Sequence, residues 1–262
     1  MKTLPSISII THGSLLSLAL FAASLPASAD VLISDSFETP VPNGYVSGHN
    51  AHAPNTTLAP ETDNTGLTEN YWVFGARTYY DYRRNGSGEA GTGSIFSWAT
   101  GDSAQGAVAI GTLTQGIIEV EAVYEFNTGV GEPVQWGAVA LLAKPTSNWL
   151  EKDGGNLLWA IVRPDGRWTV FQNGAGTPLK DSTKSTQLPE FAEDSLTAIT
   201  LRYNTITATV ALLVDGVNIS GWLSTDIDAA QITSAGFKTW PNSLSDPRSI
   251  ILDRFSVSRE AP

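Results

Sequence analysis

Two Asp-Gly dipeptides, each set between β-rich runs, constrain the fold of this chain more than any other feature. "AIVRPDGRWTVF" (160–171) and "ATVALLVDGVNISGW" (208–222) flank the dipeptide with Val, Ile, Leu, Thr and Trp. Such runs pack best as extended chain, and Asp-Gly tolerates the positive φ of a tight reversal, so each stretch reads as an antiparallel hairpin. Asp165, Gly166, Asp215 and Gly216 are therefore turn residues rather than site residues. The same alternation of β-rich runs with Gly, Asn, Asp and Pro continues along the chain. It predicts strands near 31–37, 71–75, 94–99, 105–110, 116–127, 134–143, 157–163, 167–172, 195–203, 206–214, 217–220, 232–238 and 249–258. No segment sustains a 3.6-residue apolar period over two turns. Residues 189–195, "PEFAEDS", form a helical turn at most, and 43–70, rich in Asn, Thr, Pro and Gly, read as a surface excursion.

The chain ends set the expected compartment and extent of the domain. Lys2, the apolar "LLSLALFAA" (15–23) and the small-residue "ASA" (27–29) make a leader of signal-peptide pattern, cut after Ala29. The expectation is one domain over 30–262, exported by a bacterium to the periplasm or outside, with no membrane insertion: the apolar stretch is too short for a spanning helix. The chain has no cysteine, which excludes disulfides and thiol chemistry. With Lys2 in the leader, 26 acidic side chains face 14 basic ones. Such a surface repels nucleic acid, whose binding rests on basic contacts, and disfavours strongly anionic polysaccharides. Neutral glycans stay open as partners.

"GIIEVEAVYEF" (116–126) concentrates three carboxylates, Glu119, Glu121 and Glu125, in one predicted strand. Retaining glycoside hydrolysis needs two carboxyls roughly 5–5.5 Å apart. Glu119 and Glu125 lie roughly 20 Å apart along a regular strand at about 3.3 Å per residue, so they share no site. Glu119 and Glu121, about 6.6 Å apart at Cα, could pair. The competing explanation is plain alternation: Ile118, Val120, Ala122, Tyr124 and Phe126 on an apolar face, the glutamates on a polar one. Elsewhere, His49-x-x-His52 lacks a third ligand of its kind, and no nucleophile elbow or phosphate loop occurs.

The opening "DSFE", "APETDNTGLTENYWV", "GRWTVFQNG", "LRYNTITATVALLVDGV" and the closing "LDRFSV" together resemble the laminin G-like, concanavalin A-like jelly rolls of secreted bacterial proteins. The resemblance runs over nearly the whole chain after the leader. It implies an antiparallel β-sandwich whose first strand, "VLISDSFE" (31–38), and last, "SIILDRFSVS" (249–258), lie side by side and protect an edge. Hydrolases of the laminarinase type share that fold, but their Glu-x-Asp-x-Glu signature is only partly met here, and no lyase motif accompanies the tyrosines of "TYYDYRR" (78–84).

The function expected on this basis is non-catalytic carbohydrate binding or surface recognition. A glycan-degrading enzyme using Glu119 and Glu121, and an adhesion protein binding other proteins, are the alternatives. Aromatic rings stack on sugar C–H faces, which singles out Tyr80, Tyr82 and Arg84, set on one face by alternation, and Trp149 and Trp240 in expected loops. Trp98, Trp136, Trp159 and Trp168 are expected in the core. A structural Ca²⁺ is the candidate cofactor. Asp35, Glu38 and Asp253 would meet if the end strands pair, and Asp226 with Asp228 forms a second small cluster.

Overall fold

The computed structural model describes residues 29–38, 44–45, 59–67, 72–73, 78–81, 94–97, 103–113, 115–126, 135–144, 155–174, 176, 178–184, 187–192, 195–240 and 250–261. The strands of the first half are β1 (Asp30–Asp35), β2 (Gly44–Tyr45), β3 (Thr62–Asp63), β4 (Trp72–Val73), β5 (Thr78–Asp81), β6 (Ser94–Ser97), β7 (Ala104–Ala109), β8 (Ile117–Phe126) and β9 (Trp136–Leu142). Those of the second are β10 (Asn156–Val162), β11 (Trp168–Gln172), β12 (Pro178–Asp181), β13 (Leu196–Asn204), β14 (Thr209–Val214), β15 (Val217–Asn218), β16 (Leu223–Ser224), β17 (Ser234–Trp240) and β18 (Ile250–Glu260).

They form two antiparallel sheets. The larger has the path β15-β14-β13-β8-β18-β6-β5-β2, with β1 and β16 added on β18 and β14, and β3 on β1. The smaller runs β12-β11-β10-β9-β17-β7-β4. The chain is an all-β jelly-roll sandwich, and its end strands pair from Asp30 opposite Arg259 to Asp35 opposite Phe255. Among the described residues, helix is confined to the short 3-10 turns Ser182–Lys184 and Ala229–Gln231. The described part of 189–195 has no helix. The expected excursion at 43–70 contains β2 and β3, the latter paired with β1.

Apolar alternation builds the core. Ile118, Val120, Ala122, Tyr124 and Phe126 of β8 all face inward and are buried, against Val139 and Leu141 of β9 and Ala235 and Phe237 of β17. The two Asp-Gly dipeptides turn the chain in different ways. At 215–216 both residues have positive φ, 48° and 76°, the type I′ turn suited to a two-residue hairpin. At 163–167 the Gly166 amide donates to Arg163 O at 3.0 Å and the Arg163 amide to Arg167 O at 2.9 Å. That is a type I turn closed by a glycine bulge, with Gly166 at φ 80°.

Candidate functional site

The two outward faces of the sandwich differ in chemistry. On the larger sheet, Glu119 stands between Arg202 of β13 and Ser258 of β18, and Glu121 between Thr200 and Ser256. Arg202 Nε lies 2.5 Å from Glu119 Oε1, and Arg202 Nη2 is 2.9 Å from Glu260 Oε2. Thr200 Oγ1 donates to Glu121 Oε2 at 3.0 Å. A groove of about 320 Å³ opens here, lined by Glu119, Glu121, Ser256 and Ser258 with Ala29, Val31 and Ser34 beside them. Its lining holds no aromatic ring. The polar-face reading holds for Glu119 and Glu121 but not for Glu125, which is 0% exposed. Val123 and Ile251 beside it are buried too, while Leu196, opposite Glu125 on β13, is 49% exposed.

On the smaller sheet the outward face is apolar and aromatic. One cross-strand row runs Ala107–Gly236–Ala140–Trp159–Phe171 over β7, β17, β9, β10 and β11. A second runs Gln105–Lys238–Ala138–Ile161–Thr169. Trp240 faces Trp136 at one end, and Ser234, Leu142 and Asn156 share a register at the other. The middle of the face is thus floored by glycine and alanine and walled by indoles. Trp240 and Trp136 stack at 6.0 Å with 11° between planes. Trp136 meets Trp159 edge-on at 6.1 Å, and Trp159 stacks on Phe171 at 4.4 Å. The Trp159 indole N–H donates to Gly174 O at 3.1 Å.

This face is sheltered. Trp136 is 9% and Trp159 2% exposed, while Trp240 and Phe171 are half-buried. Gln105, Lys238, Asn156 and Ser234 are buried on it, with Gln135 next to Trp136. Polar groups withdrawn from water need partners. Ser234 Oγ and Gln135 Oε1 have none among the described residues. One carboxylate, Asp181, stands at the margin opposite Thr169, and it accepts from the Thr183 amide at 3.0 Å.

The structure corrects several expectations. Trp240 ends strand β17 instead of sitting in a loop; Trp136 and Trp159 are buried as expected, in a second cluster outside the smaller sheet, and Trp168 is in the main core as expected. Tyr80 is opposite Gly44 and Ile95 in register. Its side chain, and Tyr82, Arg84, Trp98, Trp149, His49 and His52, lie outside the described residues. Asp35, Glu38 and Asp253 do not form a metal-holding group, and no cluster of three or more such ligands occurs among the described residues. Asp35 Oδ1 accepts from the Phe37 amide at 2.7 Å, Glu38 donates its own amide to Glu61, and Asp253 neighbours Arg254 at 3.6 Å. Asp228 caps the 229–231 turn, and Asp226 bonds the Gln172 amide. Both acids of that cluster thus have structural work.

The residues that sequence reasoning missed left a trace. "WGAVALL" (136–142) and "NLLWAIV" (156–162) are apolar at both parities, which marks strands covered on both faces instead of one.

No protein-family model and no curated protein matches the chain. Among solved structures it is similar to the potassium-bound carbohydrate recognition domain of Emp46p, at 13% identity and TM-score 0.47 over 81% of this chain and 99% of that one. It is also similar to a carbohydrate esterase of Shiga toxin-encoding bacteriophage phi24B, at 15% and 0.48 over 89% and 100%. A human galectin-16 variant aligns at 12% and 0.40 over 58% and 94%. Likeness at this level is one of general outline, and the sandwich assignment stands on the strand pairing itself.

Proposed function

We propose that this chain is an exported, non-catalytic module that binds a neutral carbohydrate on the outward face of its smaller sheet. One observation carries the reading: that face combines indole walls, an Ala107–Gly236–Ala140 floor and buried amide, amine and hydroxyl groups. An antiparallel sheet in a sandwich ordinarily turns a polar face to water, as the larger sheet does around Glu119. A sugar ring has apolar C–H faces that the half-buried Trp240 and Phe171 can stack on, with Gln105, Lys238 and Ser234 buried beneath them. Trp240 and Phe171, the half-buried members, are the rings this face leaves open to a ligand, over the buried Ala107 and Ala140. The acidic surface supports a neutral ligand over a polyanion. Export rests on the leader pattern at 1–29.

Hydrolysis by two carboxyls is not supported on this face, because its described part carries Asp181 alone. The test is a glycan array followed by calorimetry on the best ligand. Trp240→Ala should weaken binding by tenfold or more, whereas Trp222→Ala, an exposed indole on another part of the surface, should not. Absence of binding to any glycan, or equal loss in both variants, would sink the proposal.

A further inference from the structure

We propose that Arg163 and Arg167 read a pair of adjacent hydroxyls on the bound sugar, at the Trp240 end of the smaller sheet's outward face; this rests on the carbohydrate reading above. Register puts these side chains together. Trp240 is opposite Trp136, and Gly137 is opposite Val162, so Arg163 comes beside Trp136 one step further on. The Arg163 amide donates to Arg167 O at 2.9 Å, which sets Arg167 across from it. Val162 and Trp168 both belong to the main core, so their neighbours Arg163 and Arg167 take the outward side. The row Trp240–Trp136–Arg163–Arg167 thus crosses β17, β9 and the β10–β11 hairpin, at about 4.8 Å from strand to strand.

Access separates this end from the rest of the face. Gln105, Lys238 and Ser234 are no more than 5% exposed, whereas Trp240, Arg163 and Arg167 are half-buried. A ligand at this margin therefore meets one open ring and two guanidinium groups. Asp165, in the turn beyond, holds Arg167: its Oδ2 lies 2.5 Å from Arg167 Nε and Nη2. Arg163 stands where a cation is disfavoured. Burial acts against its charge first and the Arg167 charge second, with Asp165 offsetting part of both. Oxygens brought by a ligand would replace some of the water that Arg163 has lost. A planar guanidinium donates two parallel hydrogen bonds to a matching pair of oxygens. Two neighbouring sugar hydroxyls fit that fork, and the apolar C–H face beside them fits Trp240.

The probes are neutral oligosaccharides of glucose, galactose and mannose, measured by calorimetry on the wild type, Arg163→Met, Arg163→Lys and Trp240→Ala. Arg163→Met keeps the stem and removes the donors, while Arg163→Lys keeps the charge and removes the fork. Each should weaken binding by about tenfold. The unfolding midpoint of Arg163→Met should not fall, because burial and Arg167 act against the charge it removes. Wild-type affinity should change little between low and high salt, since hydroxyls carry no charge to screen. Affinity lost in Trp240→Ala but kept in Arg163→Met overturns the assignment and leaves the carbohydrate reading standing; no binding of any probe removes both. Full affinity in Arg163→Lys, or a steep fall with salt, means that a charge on the ligand is read instead of paired hydroxyls, and overturns the proposal. A midpoint that falls with affinity in both Arg163 variants marks a packing role and overturns it as well.

Discussion

The Tyr124 hydroxyl donates to the carbonyl oxygen of Ala138 at 2.6 Å, joining the larger sheet to the backbone of the smaller one. The Lys238 carbonyl lies 3.2 Å from the same hydroxyl. Tyr124 therefore fixes β9 and β17 from beneath at the two residues that carry the second row of the aromatic face. Its ring lies flat against Gly137, where an added Cβ would meet it at 2.8 Å. Tyr124→Phe should cost about 1–2 kcal/mol, the worth of one buried hydrogen bond plus a carbonyl left short of a donor. Gly137→Ala should cost more, because ring and strand must separate. Urea unfolding of both variants checks the order.

Alkaline pH should destabilise the protein through the same residue. Burial pushes the Tyr124 phenol well above its ordinary value, and Tyr203 is raised as well, by burial first and then by the Asp228 charge. Unfolded, each tyrosine releases its proton near 10. Above that pH the unfolded chain binds fewer protons than the native one, so stability falls as pH rises, by about 1.4 kcal/mol per pH unit for Tyr124, with Tyr203 acting in the same direction. Below pH of about 10 the contribution is intact. Unfolding midpoints measured from pH 8 to 11, at roughly unit spacing, should drop at the alkaline end, and Tyr124→Phe should flatten the drop.

The two outward faces predict opposite outcomes for carboxylate and indole substitutions. Glu119→Gln breaks the ion pair with Arg202, whose two partners are about 26–33% exposed with it. Pairs so open to water are worth about 0–1 kcal/mol, so the loss of stability should be small. Glycan affinity should not change in Glu119→Gln or Glu121→Gln, because neither belongs to the aromatic face. Trp136→Ala should lower both affinity and stability, since Trp136 stacks on Trp240 and abuts Trp159. Paired binding and thermal-unfolding measurements separate these outcomes.

Most of the fold was legible because strand periodicity and turn chemistry are local. The inward face of β8 and the pairing of the end strands could be read from 116–126 and from the two Asp-x-Phe segments. The short strands β2, β3, β5, β12 and β16 were not, since two to four residues carry too little pattern and form only against a neighbour. Glu125 escaped for another reason: alternation says which face a side chain takes, not whether that face is covered. Trp240 was noted as a ligand candidate, but its stacking on Trp136 joins two strands distant in sequence. The floor of Ala107, Gly236 and Ala140 is likewise a register fact, invisible until β7, β17 and β9 are aligned.

The two Asp-Gly turns look alike in sequence and should respond differently to the same substitution. Gly216 is at φ 76° with nothing within 4 Å of an added Cβ. Gly216→Ala therefore meets only the backbone penalty of a left-handed conformation, about 1 kcal/mol. Gly166 is at φ 80°, and its added Cβ would lie 2.0 Å from Leu188 O and 2.8 Å from Pro189 O. The Gly166 carbonyl also accepts from the Leu188 amide at 3.1 Å, and Gln187 Nε2 donates to Asp165 O at 2.8 Å. Gly166 is thus the seat on which the 187–191 segment rests, and backbone atoms cannot swing aside as a side-chain end can. Gly166→Ala must displace that segment, which carries Phe191 and its stacking on Phe126 at 5.5 Å. The expected loss is about 2–4 kcal/mol, the range of an overpacked site plus the same backbone penalty. Chemical denaturation of the two variants should show the larger loss at 166, and equal losses would mean that the 187–191 segment is not seated on this turn.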